Sequence, residues 1–146
     1  MTEKEINERQ RVVAVAKSWL KTPYHHFARK KGVGVDCGLL LAEVYEEAGI
    51  CGHINIPYYP EDWYLHHSEE VYLNIVESYA REVKEPLPGD IALYTWGKCV
   101  SHGAIIERWP TVIHAFKEEN YVTRDNALRH KKRFVAFYSP FQWEDH

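Results

Sequence analysis

The sequence predicts an α+β domain in which helices come first and an antiparallel sheet follows. Up to about Val83 apolar residues recur at helical spacing, after Pro86 the period falls to two, and turn residues punctuate the strand-like runs. Thr2 followed by Glu5 has the form of a capping box. Ile6, Val13, Ala16 and Leu20 share a face, so a first helix is predicted over about residues 3–20, ended by Thr22-Pro23. "YHHFARKKGVGV" follows neither period and reads as a loop. Asp36 then caps a second helix, whose Leu40, Leu41, Val44, Tyr45 and Ala48 form a broad apolar face and whose end is marked by Gly49; such a helix is central and mostly buried. "INIPYYPEDWYLHH" is a Pro- and Tyr-rich loop. Ser68, Glu69 and Glu70 open a third helix carrying Val71, Tyr72, Ile75, Val76, Tyr79 and Val83. "PLPGD" turns the chain into strands at residues 91–94, 102–107, 112–116 and 134–138, with Trp109-Pro110 as the hairpin turn between the second and third.

The totals bound the function. At 146 residues, with no internal repeat or linker, the chain is predicted to be one domain, residues 1–146, able to fold without metal or disulfide. An apolar content of 45% excludes a disordered chain, and the longest apolar runs fall far short of the ~20 residues that span a bilayer. A net charge of −3 leaves no basic footprint for nucleic acid, and "KKGVG" and "RHKKR" read as solvated surface. The start, "MTEKEINERQRVV", lacks the pattern of a secretory signal, so synthesis in the cytoplasm without a signal peptide is expected, with the three cysteines reduced. Nine histidines are an unusual count that local chemistry has to explain.

Cys37 sits at the first turn of the predicted central helix, where unpaired N–H groups favour an anion by roughly 0.3–1 kcal/mol and up to ~2 when partly buried. A lowered thiol pKa is the expectation. Gly38 would leave a substrate carbonyl free to approach, and the Cys37 N–H could donate to an oxyanion. The alternative, a small buried hydrophobe, stays open on position alone. The hairpin supplies what a thiol site needs. Side chains alternate across a strand, so His102, Ala104 and Ile106 share a face, as do Val112, His114 and Phe116. With a three-residue connection over residues 108–110, Glu107 pairs with Thr111, Ala104 pairs with His114, and His102 lies diagonally across from His114, ~7–8 Å away at Cα. A thiol, a base and a group that orients the base are the parts of a papain-like site.

With these residues in view, the chain resembles the NlpC-type cell-wall cysteine peptidases, small papain-like domains with a nucleophile-bearing helix on an antiparallel sheet. "TPYHHFARKKGVGVDCGLLLAEVYEEAGI" is similar to the family's Pro-Tyr, loop and Asp-Cys segment, "PLPGDIALY" to its Pro-Gly-Asp turn, and "SHGAIIE" and "VIHAF" to its base and orienting strands. The resemblance implies Cys37 as nucleophile, His102 as general base, His114 as the residue that orients its imidazole, Tyr24 as a hydroxyl near the sulfur, and Asp36 as a receiver of a substrate amine. It implies no cofactor or catalytic metal. The substrate implied is an amide of the peptidoglycan stem peptide, of the γ-D-glutamyl-diamino acid type. One departure is that glycine follows the cysteine at once, where many members have a small polar residue first. "PEDWYLHHSEE" is similar to members carried by phage tails and gene-transfer particles, implying phage tail proteins as partners and action at the cell wall. Residues 57–67 are expected to form a rim of the cleft, or a surface loop sealing the core.

Rival readings come from other classes. Cys99 and His102 have a C-x2-H spacing that Cys51 and His53 could complete as a structural zinc module; otherwise Cys51 and Cys99 are inert core thiols. A tail component could keep the fold without chemistry, or the thiol site could act on a substrate outside the wall.

Overall fold

The structure is a computed structural model and describes residues 1–63 and 70–141. Its first helix, α1 (Glu3–Ser18), begins at Thr2, whose Oγ1 accepts from the Glu5 N–H at 3.1 Å. Only half of the expected capping box forms. The Glu5 carboxylate turns to Arg9 at 2.8 Å, and Arg9 reaches on to Asp90 Oδ1 at 2.8 Å and the Pro88 carbonyl at 3.1 Å. This buried cluster clamps the Pro-Gly-Asp turn to α1. Removing one member would strand a buried charge, a loss of ~3–5 kcal/mol.

In the following loop, β1 (Arg29–Lys30) and β2 (Gly34–Val35) form a short ladder ahead of α2 (Cys37–Glu47), the predicted central helix. Helix α3 (Val71–Tyr79) is shorter than expected: Val83 lies in a separate strand, β3 (Arg81–Val83), because the backbone turns extended at Ala80. The expected helix opening at Ser68 and the far end of the 57–67 rim lie outside the described residues.

The four predicted strands form as β4 (Ile91–Trp96), β5 (Cys99–Arg108), β6 (Thr111–Phe116) and β8 (Phe134–Ser139), joined by the unpredicted β7 (Tyr121–Asn126). They make a six-stranded sheet in the order β3-β8-β4-β5-β6-β7, antiparallel throughout. Alternation divides its residues between two faces. On one, Leu39, Leu40 and Val44 of α2 pack with Leu93, Ile105 and Ile113. Burying each such side chain contributes ~1.5–3 kcal/mol. On the other, Ala92, Tyr94, Ala104, Ile106 and Val112 pack under Trp109, Phe134 and Phe137.

The β5–β6 hairpin differs locally from expectation and agrees in register. Its turn holds two residues, Trp109 and Pro110, and Arg108, not Glu107, pairs with Thr111. Glu107 is an extra residue between Ile106↔Val112 and Arg108↔Thr111. A bulge shifts the pairing by one residue, so the shorter turn and the bulge cancel. Beyond them Ile105 faces Ile113, the register that sets Ala104 opposite His114.

Candidate active site

The sequence puts Cys37 at a helix start because Asp36 caps that helix, with Oδ1 accepting from the Leu39 N–H at 3.0 Å. Across from the helix, the Cys37 sulfur contacts the Ser101 carbonyl at 3.4 Å. Strand geometry says where this contact lies. The Ile106 amide and carbonyl bond to Asp90 and Gly89 on the β4 side. Counting back in twos, those of His102 also face β4, so the Ser101 carbonyl and the Gly103 amide point toward β6. Among the described residues, ladder pairing of β5 with β6 stops at Ile105↔Ile113. The sulfur therefore lies at the β6-facing edge of β5, beyond the last pair of that ladder.

His102, the residue after Ser101, turns its ring to the other face of the sheet. Its ring is buried against Tyr94, Trp96 and Phe116, with centroids 5.9, 5.3 and 5.7 Å away. His102 Nε2 is 2.8 Å from His114 Nδ1, and His114 Nε2 is 3.2 Å from Asp125 Oδ2. No hydrogen bond joins the sulfur to either imidazole among the described residues.

The charge state of the thiol differs from the sequence expectation. Burial, and then the nearby Asp36 carboxylate, push its pKa up, against the Gly38 and Gly103 amides and the Tyr72 hydroxyl. Cys37 is half-buried in a cavity wall, and there a helix-start contribution of up to ~2 kcal/mol is outweighed by the partial loss of water around the sulfur. Burial, followed by His114 and His130, pushes His102 well below the usual imidazole value. At rest the pair is a neutral thiol beside a neutral imidazole.

Tyr72, from α3, is a neighbour that the sequence assigned only to an apolar helix face. Its ring would stand 3.2 Å from a Cβ at Gly38, so that glycine makes room for Tyr72 rather than for a substrate carbonyl. The Tyr72 hydroxyl is buried without a partner of good geometry and lies toward the sulfur. It also lies 2.7 Å from where a Gly103 Cβ would be, with Leu41 Cδ1 at the same distance. Only glycine fits there. Asp125 and His130 were missed as well: β7 is too polar to read as a strand, and "RHKKR" reads as surface. His130 instead turns inward, its ring 4.8 Å from Phe116 and Nε2 3.5 Å from Asp125 Oδ2.

Asp36 and Tyr24 take other places. Asp36 is 1% exposed, and its Oδ2 accepts from the Phe27 N–H at 2.8 Å and from the Tyr59 hydroxyl. The carboxylate thus ties both flanking loops to the helix start, in contrast to the exposed position an amine receiver would need. Tyr24 is half-buried, near enough to Tyr72 to affect its charge, and lines a small cavity with His25, His26 and Glu61. A larger cavity of about 890 Å³ runs between α2, α3 and the loop before α3; Cys37, Ser101, Tyr59 and Tyr72 lie in its mostly apolar wall. Pro57, Tyr58, Pro60 and Trp63 line it too, as expected of a rim. The zinc reading is corrected. His53 bonds to Glu46 at 2.9 Å, and no group of three or more His, Cys, Asp or Glu side chains among the described residues is placed to hold a metal.

No family model matches the sequence, and no curated protein matches it. Solved structures do match in fold. NlpC1 from Trichomonas vaginalis superposes with a TM-score of 0.68 at 16% identity, covering 91% of this chain and 45% of that one. The NlpC/p60 domain of the peptidoglycan hydrolase SagA gives 0.62 at 18%, covering 90% and 97%. RipD from Mycobacterium tuberculosis, described as a non-catalytic NlpC/p60 domain protein adapted to peptidoglycan binding, gives 0.59 at 14%, covering 90% and 95%. The chain spans under half the length of the Trichomonas protein and nearly all of the SagA domain. It has the NlpC/p60 fold, an α+β papain-like arrangement. Among the described residues no helix is long and apolar enough to cross a membrane.

Proposed function

We propose that the chain is a cysteine peptidase of bacterial peptidoglycan, with Cys37 as nucleophile, His102 as general base and His114 orienting the base. The observation that carries this reading is a helix-start sulfur in a cavity wall, held against the Ser101 carbonyl of the strand that also bears His102, whose imidazole is hydrogen-bonded to His114. As the substrate carbonyl arrives, the Cys37 thiol gives its proton to His102 while sulfur bonds to the carbonyl carbon. The first-turn amides of α2 stabilise the oxyanion. Protonated His102 then passes its proton to the departing amine, and water, activated by the same imidazole, cleaves the thioester. Asp36 holds the helix start in place.

The peptidoglycan substrate is supported by the fold shared with the SagA domain and by the ordered motifs around Cys37, His102 and His114. The stem-peptide amide joining D-glutamate to a diamino acid is the bond those motifs imply. Incubation with muropeptides and mass analysis of the products tests this: one water added at that amide is expected, and Cys37→Ala should abolish it with the melting temperature nearly unchanged. Delivery to the wall by a phage tail complex belongs to the same proposal and predicts co-purification with tail proteins. A second reading, peptidoglycan binding without cleavage as in RipD, is favoured by the neutral thiol under Tyr72. It predicts muropeptide binding with no product at any enzyme concentration.

A further inference from the structure

We infer that Asp125 is the positioning residue that fixes the tautomers of both site histidines, leaving His102 Nδ1 as the lone pair that meets the thiol. This rests on the catalytic reading of Cys37 and His102. The inference follows from counting protons along one chain of contacts.

Asp125 lies on β7 with its side chain 5% exposed. Its Oδ2 faces His114 Nε2 at 3.2 Å, and its Oδ1 accepts from the Asn126 N–H at 2.8 Å and from Arg129 at 2.7 Å; His114 first, then these two, hold its pKa down and keep it ionised. An ionised carboxylate only accepts, so the proton of this contact belongs to His114 Nε2. When His114 is neutral it has one N–H, and its Nδ1 is then an acceptor. The 2.8 Å contact to His102 Nε2 must then be donated by His102, which leaves Nδ1 bare. Without the carboxylate the chain can invert: His114 Nδ1 donates to His102 Nε2, and the His102 proton moves to Nδ1, where it blocks acceptance from sulfur. Other polar or titratable groups packed around the pair are Tyr94 from β4, and Arg129 and His130 from the 3-10 segment after β7. Arg129 donates only, and His130 Nε2 contacts the same Asp125 oxygen as His114, so neither replaces the carboxylate as acceptor.

Long-range proton–nitrogen NMR of ¹⁵N-histidine-labelled protein tests this directly. At near-neutral pH both His102 and His114 should give the Nε2–H pattern; an Nδ1–H pattern for His102 in the unmodified protein overturns the inference, whether or not any substrate is cleaved. In Asp125→Asn, His114 should shift to the Nδ1–H pattern. If a substrate is cleaved, kcat should fall ~10²–10⁴-fold with KM little changed. Unaltered tautomers in a folded Asp125→Asn protein also overturn it. If that variant does not fold, the unmodified protein's spectrum alone decides.

Discussion

The two faces of the sheet are built from the same strands and do opposite things. Under α2, Leu93, Ile105 and Ile113 meet only apolar neighbours, and the face contributes stability. On the far face the same alternation delivers His102 and His114, with Asp125 and His130 beside them under aromatic cover. Titratable groups there are shielded from water and coupled to each other, which tunes their protons instead of adding to packing. The sulfur belongs to the helix side and the imidazoles to the other. What joins the two sides is β5: the sulfur rests against the Ser101 carbonyl, one residue from His102, beyond the end of the β5–β6 ladder at Ile105↔Ile113.

The largest effects should come from the far face. His102→Ala should lower turnover of muropeptides by ~10²–10⁴-fold, and His114→Ala by less, because orientation is lost before proton transfer is. Steady-state kinetics of the two variants checks the order, and a reversed order would mean their roles are exchanged. Gly103→Ala strikes the stretch of β5 beside the sulfur. Its Cβ would sit 2.7 Å from both Leu41 and the Tyr72 hydroxyl, so a loss of about 1–3 kcal/mol is expected in chemical denaturation, together with loss of activity.

Acid should separate the faces more gently. His102 and His130 both have lowered pKa values, so the unfolded chain takes up their protons first. The stability they permit is complete above the unfolded value of about 6.5 and drains away as pH falls from there toward the folded values. Asp125, also lowered, acts in the same direction further into acid, below its unfolded value of about 3.9. Thermal melts should therefore show a decline beginning near pH ~6.5 that His102→Gln makes shallower. The smallest change is expected for Tyr72→Phe. Its hydroxyl has no hydrogen-bond partner of good geometry among the described residues, so stability should hold within ~1 kcal/mol, while the rate falls about tenfold or less as the sulfur loses a neighbour that favours its charge.

Much of this was legible in order along the chain. Asp36 announces a cap, and Leu40, Leu41 and Val44 announce a buried helix, because capping and amphipathic period are local. The shared face of His102 and His114 is expected only for a three-residue connection, a two-residue loop placing them on opposite faces; the turn has two residues, and the bulge at Glu107, which the sequence did not reveal, restores the shared face. Asp125 was not legible, since the polar "YVTRDN" becomes a strand only by pairing with β6 at the sheet edge. Tyr72 looked like any apolar helix residue until α3 was laid over Gly38.

The sequence by itself determined the helix start beneath Cys37, the strand period beneath both histidines and the order of the elements, all of which depend on neighbours a few residues away. Only the tertiary structure decided the protonation of the site. Whether a sulfur or an imidazole carries charge depends on how much water and which distant groups surround it. Burial of Cys37, the Asp36 carboxylate beside it and the Asp125 contact to His114 come from parts of the chain that meet only after folding.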